Sequence, residues 1–336
     1  MISYFNSGYL IRYPVAFVIA ALVWLPSIID PESYLEQNSR FSLLYINFSW
    51  IEAHASIFIW VSFLITIISA LAVNQILREY DLVNMHSTTG LVVFVLFTSA
   101  LPMLTSVNSF ILINVLLIMF ILGILKLSVV ENPISEIFNA SFYLGIASLL
   151  FTPLVYLIVF IWIALLTNRH LPLRNFLISM AGLLLPYLFI FTWFYLQENA
   201  IENGVHLLQM LLNIDLSIHW MAFTYFELGL IIFLLLLIVF SVLVTMVKLG
   251  EKSNFSRRNI VVLLYYLGST VLLLLLFSAN AEGVLLLGLP AAFIVSIMVY
   301  SVNKNRFINL AFWLLFIGIL FNHYYQLFDV KAVLFK

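Results

Sequence analysis

The sequence reads as an all-α, polytopic integral membrane helix bundle with about eleven transmembrane helices and its N-terminus inside. Three observations carry that reading. The 336-residue chain is 64% hydrophobic and only 9% charged, with a mean hydropathy of +1.15, whereas soluble domains carry roughly 25% charged residues. Apolar runs of about 20 residues, enough to span a hydrocarbon core of about 30 Å, recur along its length. Lys and Arg concentrate in alternate connections between those runs. A single transmembrane domain, residues 1–336, accounts for the chain.

The first run, about residues 12–29, ends at Pro26 and Asp30-Pro31 without a small-x-small cleavage pattern. It is read as a retained helix, not a cleaved signal. A polar excursion, residues 30–54, follows, rich in acids, Tyr and Trp. The second helix is placed at about 55–77, the third at 88–105 and the fourth at 110–127. Residues 137–167 form an apolar stretch too long for one ordinary span. Phe151-Thr152-Pro153 divides it into a hairpin, about 134–150 and 154–167; the alternative is one long helix kinked at Pro153. The seventh helix is expected at 175–195, then a second polar excursion at 197–219. Helices at about 220–247, 260–277, 283–302 and 307–326 complete the count, with a basic loop at 248–259.

Charge decides for the hairpin. With the N-terminus in the cytoplasm, the inner loops hold Arg12, Arg78, Lys126, Arg169, Arg174, Lys248, Lys252, Arg257, Arg258, Lys304 and Arg306, out of fourteen Lys and Arg in all. That arrangement obeys the positive-inside rule, and a single helix over 137–167 would reverse every later loop. The expected location is a bacterial inner (cytoplasmic) membrane. Net charge is −1, which excludes the basic footprint of a nucleic-acid binder. The absence of cysteine excludes disulfides, thiolate metal sites and a Cys nucleophile.

Acids collect on the opposite, outer side. Asp30, Glu32 and Glu52 are the candidate catalytic carboxylates, because a carboxylate held against an apolar wall can be tuned as a general base. His54, His219 and Glu227 are candidate binding residues. Glu52, His54 and Glu227 sit at or inside the apolar boundary, where an ionisable side chain usually has a partner. Most other outer acids read as solvated loop residues. No two of the six histidines stand four apart, so neither a histidine-box iron site nor HExxH zinc is expected, and no metal is assigned. GxxxxGK[ST], GxGxxG and GxSxG are all absent.

Several pieces together resemble a family of polytopic membrane proteins from Bacteroidota, a domain of unknown function. They are LREYDL at 77–82, SALP at 99–102, FNASFYLGIASLLFTP at 138–153 and the series Arg174, Gly182, Pro186. Members of that family sometimes carry a carotene-monooxygenase label, which the scattered histidines here do not support. At coarser range the layout is similar to the GT-C class of membrane glycosyltransferases: an inside N-terminus, about eleven helices and an acidic motif in the first outer loop. Asp30-Pro31-Glu32-Ser33-Tyr34 is similar to the Asp-Glu-x-x-Tyr-like segment of that class. The resemblance implies Asp30 or Glu32 as catalytic carboxylate and a polyprenyl-phosphate-linked sugar as donor.

Three functions are weighed. One is glycosyl transfer from a lipid-linked sugar at the outer face, and an equal alternative is a non-enzymatic scaffold or subunit of an envelope complex. The third is transport, for which Glu227, Asn114 and the break at Pro153 are the features. It ranks last because no internal repeat is visible. Membrane lipids are the one partner every reading shares.

Overall fold

The computed structural model describes residue 5 and residues 12–31, 54–106, 108–170, 172–198, 200–212, 224–277, 281–302 and 306–327. Every regular element among them is a helix. In chain order these are α1 (Arg12–Ile29), α2 (Ala55–Glu79), α3 (Thr89–Thr98), α4 (Ser109–Lys126), α5 (Ile134–Leu150), α6 (Ile158–Thr167), α7 (Leu173–Leu196), α8 (Ala200–Leu212), α9 (Tyr225–Val247), α10 (Asn254–Leu276), α11 (Ala281–Val302) and α12 (Arg306–Leu327). Among the described residues, α1, α2, α4, α7, α9, α10 and α12 are long and apolar enough to cross a membrane. Shorter apolar stretches accompany them at Thr89–Thr98, Ile134–Leu150, Thr152–Thr167 and Leu286–Val302. The chain is a multi-pass membrane protein by this measure, and the exposed apolar side chains of α7 (Leu184, Leu188, Phe189, Trp193) and α9 (Leu236, Val239, Phe240, Leu243) suit a lipid-facing surface.

The centre of the bundle is α3 packed on α11. All ten residues of α3 are buried, as is α11 from Leu286 to Val299. A helix apolar on every side needs such a position. A Cβ on Gly288 of α11 would lie 3.1 Å from the Thr98 methyl, so the two backbones approach closely there.

One end of the bundle gathers the cationic connections. Arg12 donates to the His86 carbonyl at 2.9 Å, Arg78 to the Tyr13 hydroxyl at 3.2 Å, and Ser256 to the Asp81 carbonyl at 3.1 Å. The ammonium of Lys248 donates to the Ser301 carbonyl. That of Lys252 lies 4.5 Å over the Tyr300 ring, a cation–π contact. Burial, and then the charge of Lys248, hold Lys252 below the usual lysine range, with Glu251 opposing.

The chain doubles back after α5. Its 3-10 turn Thr152–Leu157 leads into α6, and a His170 ring nitrogen meets the Leu127 carbonyl at 2.9 Å. The end of α6 therefore returns to the level where α4 stops and α5 starts. Pro153 at the start of that turn supplies the stop. With α6 coming back, α5 and α7 run parallel and pack through small residues. A Cβ on Gly182 would sit 2.7 Å from the Phe138 carbonyl oxygen and 2.9 Å from Ser141 Cβ; one on Gly145 would sit 2.7 Å from the Leu183 carbonyl oxygen. Tyr187 donates to Ser148 across this contact at 2.9 Å. Membrane helices associate through such small-residue seams because lipid offers no hydrophobic drive between helices.

Three elements differ from the sequence expectation. The third span does not run through 105: it stops at Thr98, before a separate 3-10 turn at Pro102–Thr105. The second excursion is not simply polar, because its first part is the helix α8. This helix leaves an apolar stripe of Ile201, Val205, Leu208 and Leu212 exposed, the pattern of a helix lying in the membrane interface. Finally, α10 begins at Asn254, ahead of the expected 260, since Ser253 caps it by accepting the Ser256 amide at 3.2 Å.

The α5–α7 seam gives the first prediction. Gly182→Ala inserts a methyl against backbone and costs about 1–3 kcal/mol. Gly268→Ala, whose Cβ meets nothing within 4 Å, is neutral or gains up to about 1 kcal/mol from helix propensity. Thermal unfolding in a single detergent separates them; equal transitions would show that the seam is not tightly packed.

Candidate functional site

The break at the end of α3 gathers buried polar contacts from α1 and α12. Proline at 102 has no amide hydrogen and clashes with the carbonyl four residues back, which fits the end of α3 at Thr98. Leu101, just before it, is extended (φ −116°, ψ 150°), as a residue preceding proline prefers. The break frees carbonyls inside an apolar interior, where an unpaired one costs about 1–3 kcal/mol.

Other helices supply the partners. His323 of α12 is fully buried (0% exposed), and its Nε2 lies 3.0 Å from the Ser99 carbonyl oxygen. A carbonyl only accepts, so Nε2 carries the hydrogen. In the neutral ring Nδ1 is then a bare acceptor, and it has no partner. The neighbouring Asn322 amide nitrogen is also buried and unpartnered. Trp24 of α1 donates its indole hydrogen to the Ser99 hydroxyl at 3.0 Å. Beside it Ser27 donates to the Thr105 hydroxyl at 2.7 Å, and Thr105 to the Pro102 carbonyl at 2.8 Å. Another face of the break borders a void of about 10 Å³, the room of roughly one water. Thr66 and Ser69 of α2, Thr98, and Asn114 of α4 contribute its polar lining. Chemically, the break offers a lone pair at His323 Nδ1 on one face, and on the other the polar groups of Thr66, Ser69, Thr98 and Asn114 around the void, with the Thr66 and Thr98 hydroxyls donating to the Ser62 and Phe94 carbonyls. It can hold a proton or hydrogen-bond a small polar molecule.

The residues singled out from sequence fare differently. Asp30 is exposed just beyond the end of α1, and His54 is exposed just before α2. Glu32, Glu52 and His219 lie outside the described residues. Glu227 is buried, and its carboxylate has a local occupation. Oε2 accepts from the Thr224 amide at 2.8 Å and the Thr224 hydroxyl at 2.9 Å, while the Glu227 amide donates to Thr224 Oγ1 at 3.3 Å. This is a reciprocal capping box at the start of α9, so the buried acid has its partner within its own helix turn. Among the described residues, no three His, Asp or Glu side chains cluster in a way that could hold a metal ion. His323, Trp24 and Ser99 were not selected from sequence. The available signal was an ionisable residue inside an apolar run, FNHYY within the last helix. No family model, no curated protein and no solved structure matches this chain.

His323→Leu tests the central contact. It leaves the Ser99 carbonyl without a donor, at an expected cost of about 1–3 kcal/mol. His323→Gln, which keeps an amide donor on a flexible stem, recovers part of that loss. Unfolding temperatures in one detergent give the order wild type, Gln, Leu; a Leu variant as stable as wild type would remove the bond from the list of stabilising contacts.

Proposed function

We propose that this chain is a transport protein of a bacterial inner membrane, crossing it eleven times from a cytoplasmic N-terminus, with its translocation site at the break in α3. The observation that carries the reading is the buried, half-partnered His323 on the Ser99 carbonyl at the helix break. Transporters build their sites where a helix is interrupted at membrane depth, because unwound backbone and an intramembrane ionisable group can then face the cargo. On another face of the same break, a void of about 10 Å³ has room for about one water. The orientation rests on the cationic connections that share one end of the bundle, the end the positive-inside rule assigns to the cytoplasm.

A second reading retains glycosyl transfer from a polyprenyl-phosphate-linked sugar at the outer face. Its support is that Asp30 lies exposed at the bundle end that also carries α8, whose apolar stripe suits a lipid surface.

Orientation is tested by single cysteines in this cysteine-free chain. With a membrane-impermeant thiol reagent on intact cells, Asn38→Cys and Asn203→Cys label and Glu251→Cys does not; the reverse pattern would invert the protein. Transport is tested in proteoliposomes holding a pH-sensitive dye, under an imposed potassium diffusion potential. Wild type acidifies or alkalises the lumen faster than empty vesicles, and His323→Gln loses most of that flux. Wild-type flux equal to that of empty vesicles overturns proton transport. Sugar transfer abolished by Asp30→Asn would then favour the second reading.

A further inference from the structure

We infer that the opposite, N-terminal end of α3 is a binding site for a phosphoryl oxyanion, built by Arg12, Arg78, Asn74 and the first turn of α3. This inference is independent of the transport reading, since it concerns other residues at the other end of the helix.

Arg12 is almost wholly buried (1% exposed). Only its Nη1 is used: it donates to the Phe5 carbonyl at 3.1 Å and to the His86 carbonyl at 2.9 Å. Its Nε and Nη2 have no partner among the described residues. Those two nitrogens form one edge of the planar guanidinium, with parallel hydrogens, the edge that takes a carboxylate or phosphate in bidentate fashion. No carboxylate pairs with Arg12 or Arg78 among the described residues. A buried cation left so is costly, and an anionic partner removes the cost.

The guanidinium lies at a helix start. The Phe5 carbonyl that it binds also accepts the Thr88 amide at 3.0 Å and the Thr88 hydroxyl at 3.3 Å, and Thr88 is the residue that begins α3. In the first turn the amides of Gly90 and Leu91 have no acceptor within the helix. The helix dipole adds a partial positive charge there. Asn74 is fully buried (0% exposed), and both its side-chain oxygen and nitrogen are unpartnered. It faces this turn: a Cβ on Gly90 would lie 3.1 Å from Asn74 Oδ1. The same Cβ would lie 2.5 Å from Leu77 Cδ1, so α2 and the start of α3 are in close contact here. Arg78 closes the site, donating from Nε to the Asn74 carbonyl at 3.3 Å and from Nη1 to the Tyr13 hydroxyl at 3.2 Å. Two guanidinium groups, an amide and a helix start meet here, and no acid among the described residues pairs with them. A phosphoryl group has the charge and the several oxygens to use such a donor set. It can come from a soluble phosphate or from the headgroup of an anionic phospholipid, since the site sits at a polar end of membrane-spanning helices.

The experiment has two arms on the purified full chain. In detergent, inorganic phosphate is titrated against chloride of equal ionic strength. In nanodiscs, phosphatidylglycerol is compared with phosphatidylcholine. The unfolding temperature from Trp fluorescence is the readout in both, with native mass spectrometry of wild type to weigh any retained phosphate or lipid. A saturable rise with phosphate alone identifies a soluble phosphate as ligand, and one with phosphatidylglycerol alone identifies a headgroup; either supports the site. Arg12→Lys keeps the charge without the bidentate edge and weakens the response about tenfold, roughly one charge-assisted hydrogen bond; Arg12→Gln abolishes it. Equal responses in wild type and Arg12→Gln overturn the proposal, as does the absence of any response in wild type in both arms. Should Arg12→Gln not fold, Arg12→Lys and the wild-type arms still decide the matter.

Discussion

Inside a bilayer every backbone amide and carbonyl needs a partner from the protein itself. Most of this chain meets that demand through unbroken helices, and the end of α3 is one place where it does not. Ten residues of helix, then Ser99 to Pro102, leave carbonyls that no turn of the same helix can satisfy. The neighbouring helices are arranged around that deficit. α12 brings His323 to the Ser99 carbonyl, and α1 brings Trp24 to the Ser99 hydroxyl and Ser27 to Thr105. α11 passes close enough that Gly288 touches Thr98. A straight α3 would need none of these contacts, so the break accounts for why α1 and α12, distant in sequence, meet the centre at one level.

The rest of the bundle is held by a different device. α5 and α7 approach through Gly145, Gly182 and the serines beside them, and α4 meets α5 where a Cβ on Gly123 would lie 2.9 Å from Ala140 Cβ. Small residues bring backbones close enough for dispersion to accumulate over many atom pairs. Polar side chains along these contacts are paired, as in Tyr187 to Ser148 across the α5–α7 seam and Trp162 to Ser179 between α6 and α7. Two halves with different logic result: one is packed by shape, the other organised by the needs of an interrupted backbone.

How much of this was legible follows from the range of each signal. Apolar runs and loop cations are properties of whole segments, so the helical membrane class and the doubling back at Phe151–Pro153 could be read directly. The helix break at Pro102 is marked by one residue within an apolar run, and proline in a membrane helix is as compatible with a kink as with a stop. Glu227 shows a signal with two readings. Its position inside an apolar boundary suggested a ligand-binding acid, but Thr224 three residues earlier is the other half of a capping box. That pairing, Thr-x-x-Glu ahead of an apolar run, was visible in the sequence and is the cheaper explanation of the buried charge. His323 stands out in sequence as an ionisable residue inside an apolar run, but its contact does not. Its partner is the Ser99 carbonyl, more than two hundred residues away, and a backbone acceptor leaves no trace in residue types.

The two ends of α3 differ in how they are complemented. At the C-terminal end, where free carbonyls concentrate negative potential, the neighbours are donors: the His323 Nε2–H on the Ser99 carbonyl and the Trp24 indole on the adjoining hydroxyl. At the N-terminal end the potential is positive, and the side chains gathered there are the guanidinium groups of Arg12 and Arg78 and the amide of Asn74. Both ends lie inside the protein, where water does little to screen them. A charge arrangement satisfied at one end and of like sign at the other is unbalanced for a helix of only ten residues. An anion seated between Arg12 and the first turn of α3 restores the symmetry, because it is the one addition that lowers the energy of the guanidinium groups and the helix start together.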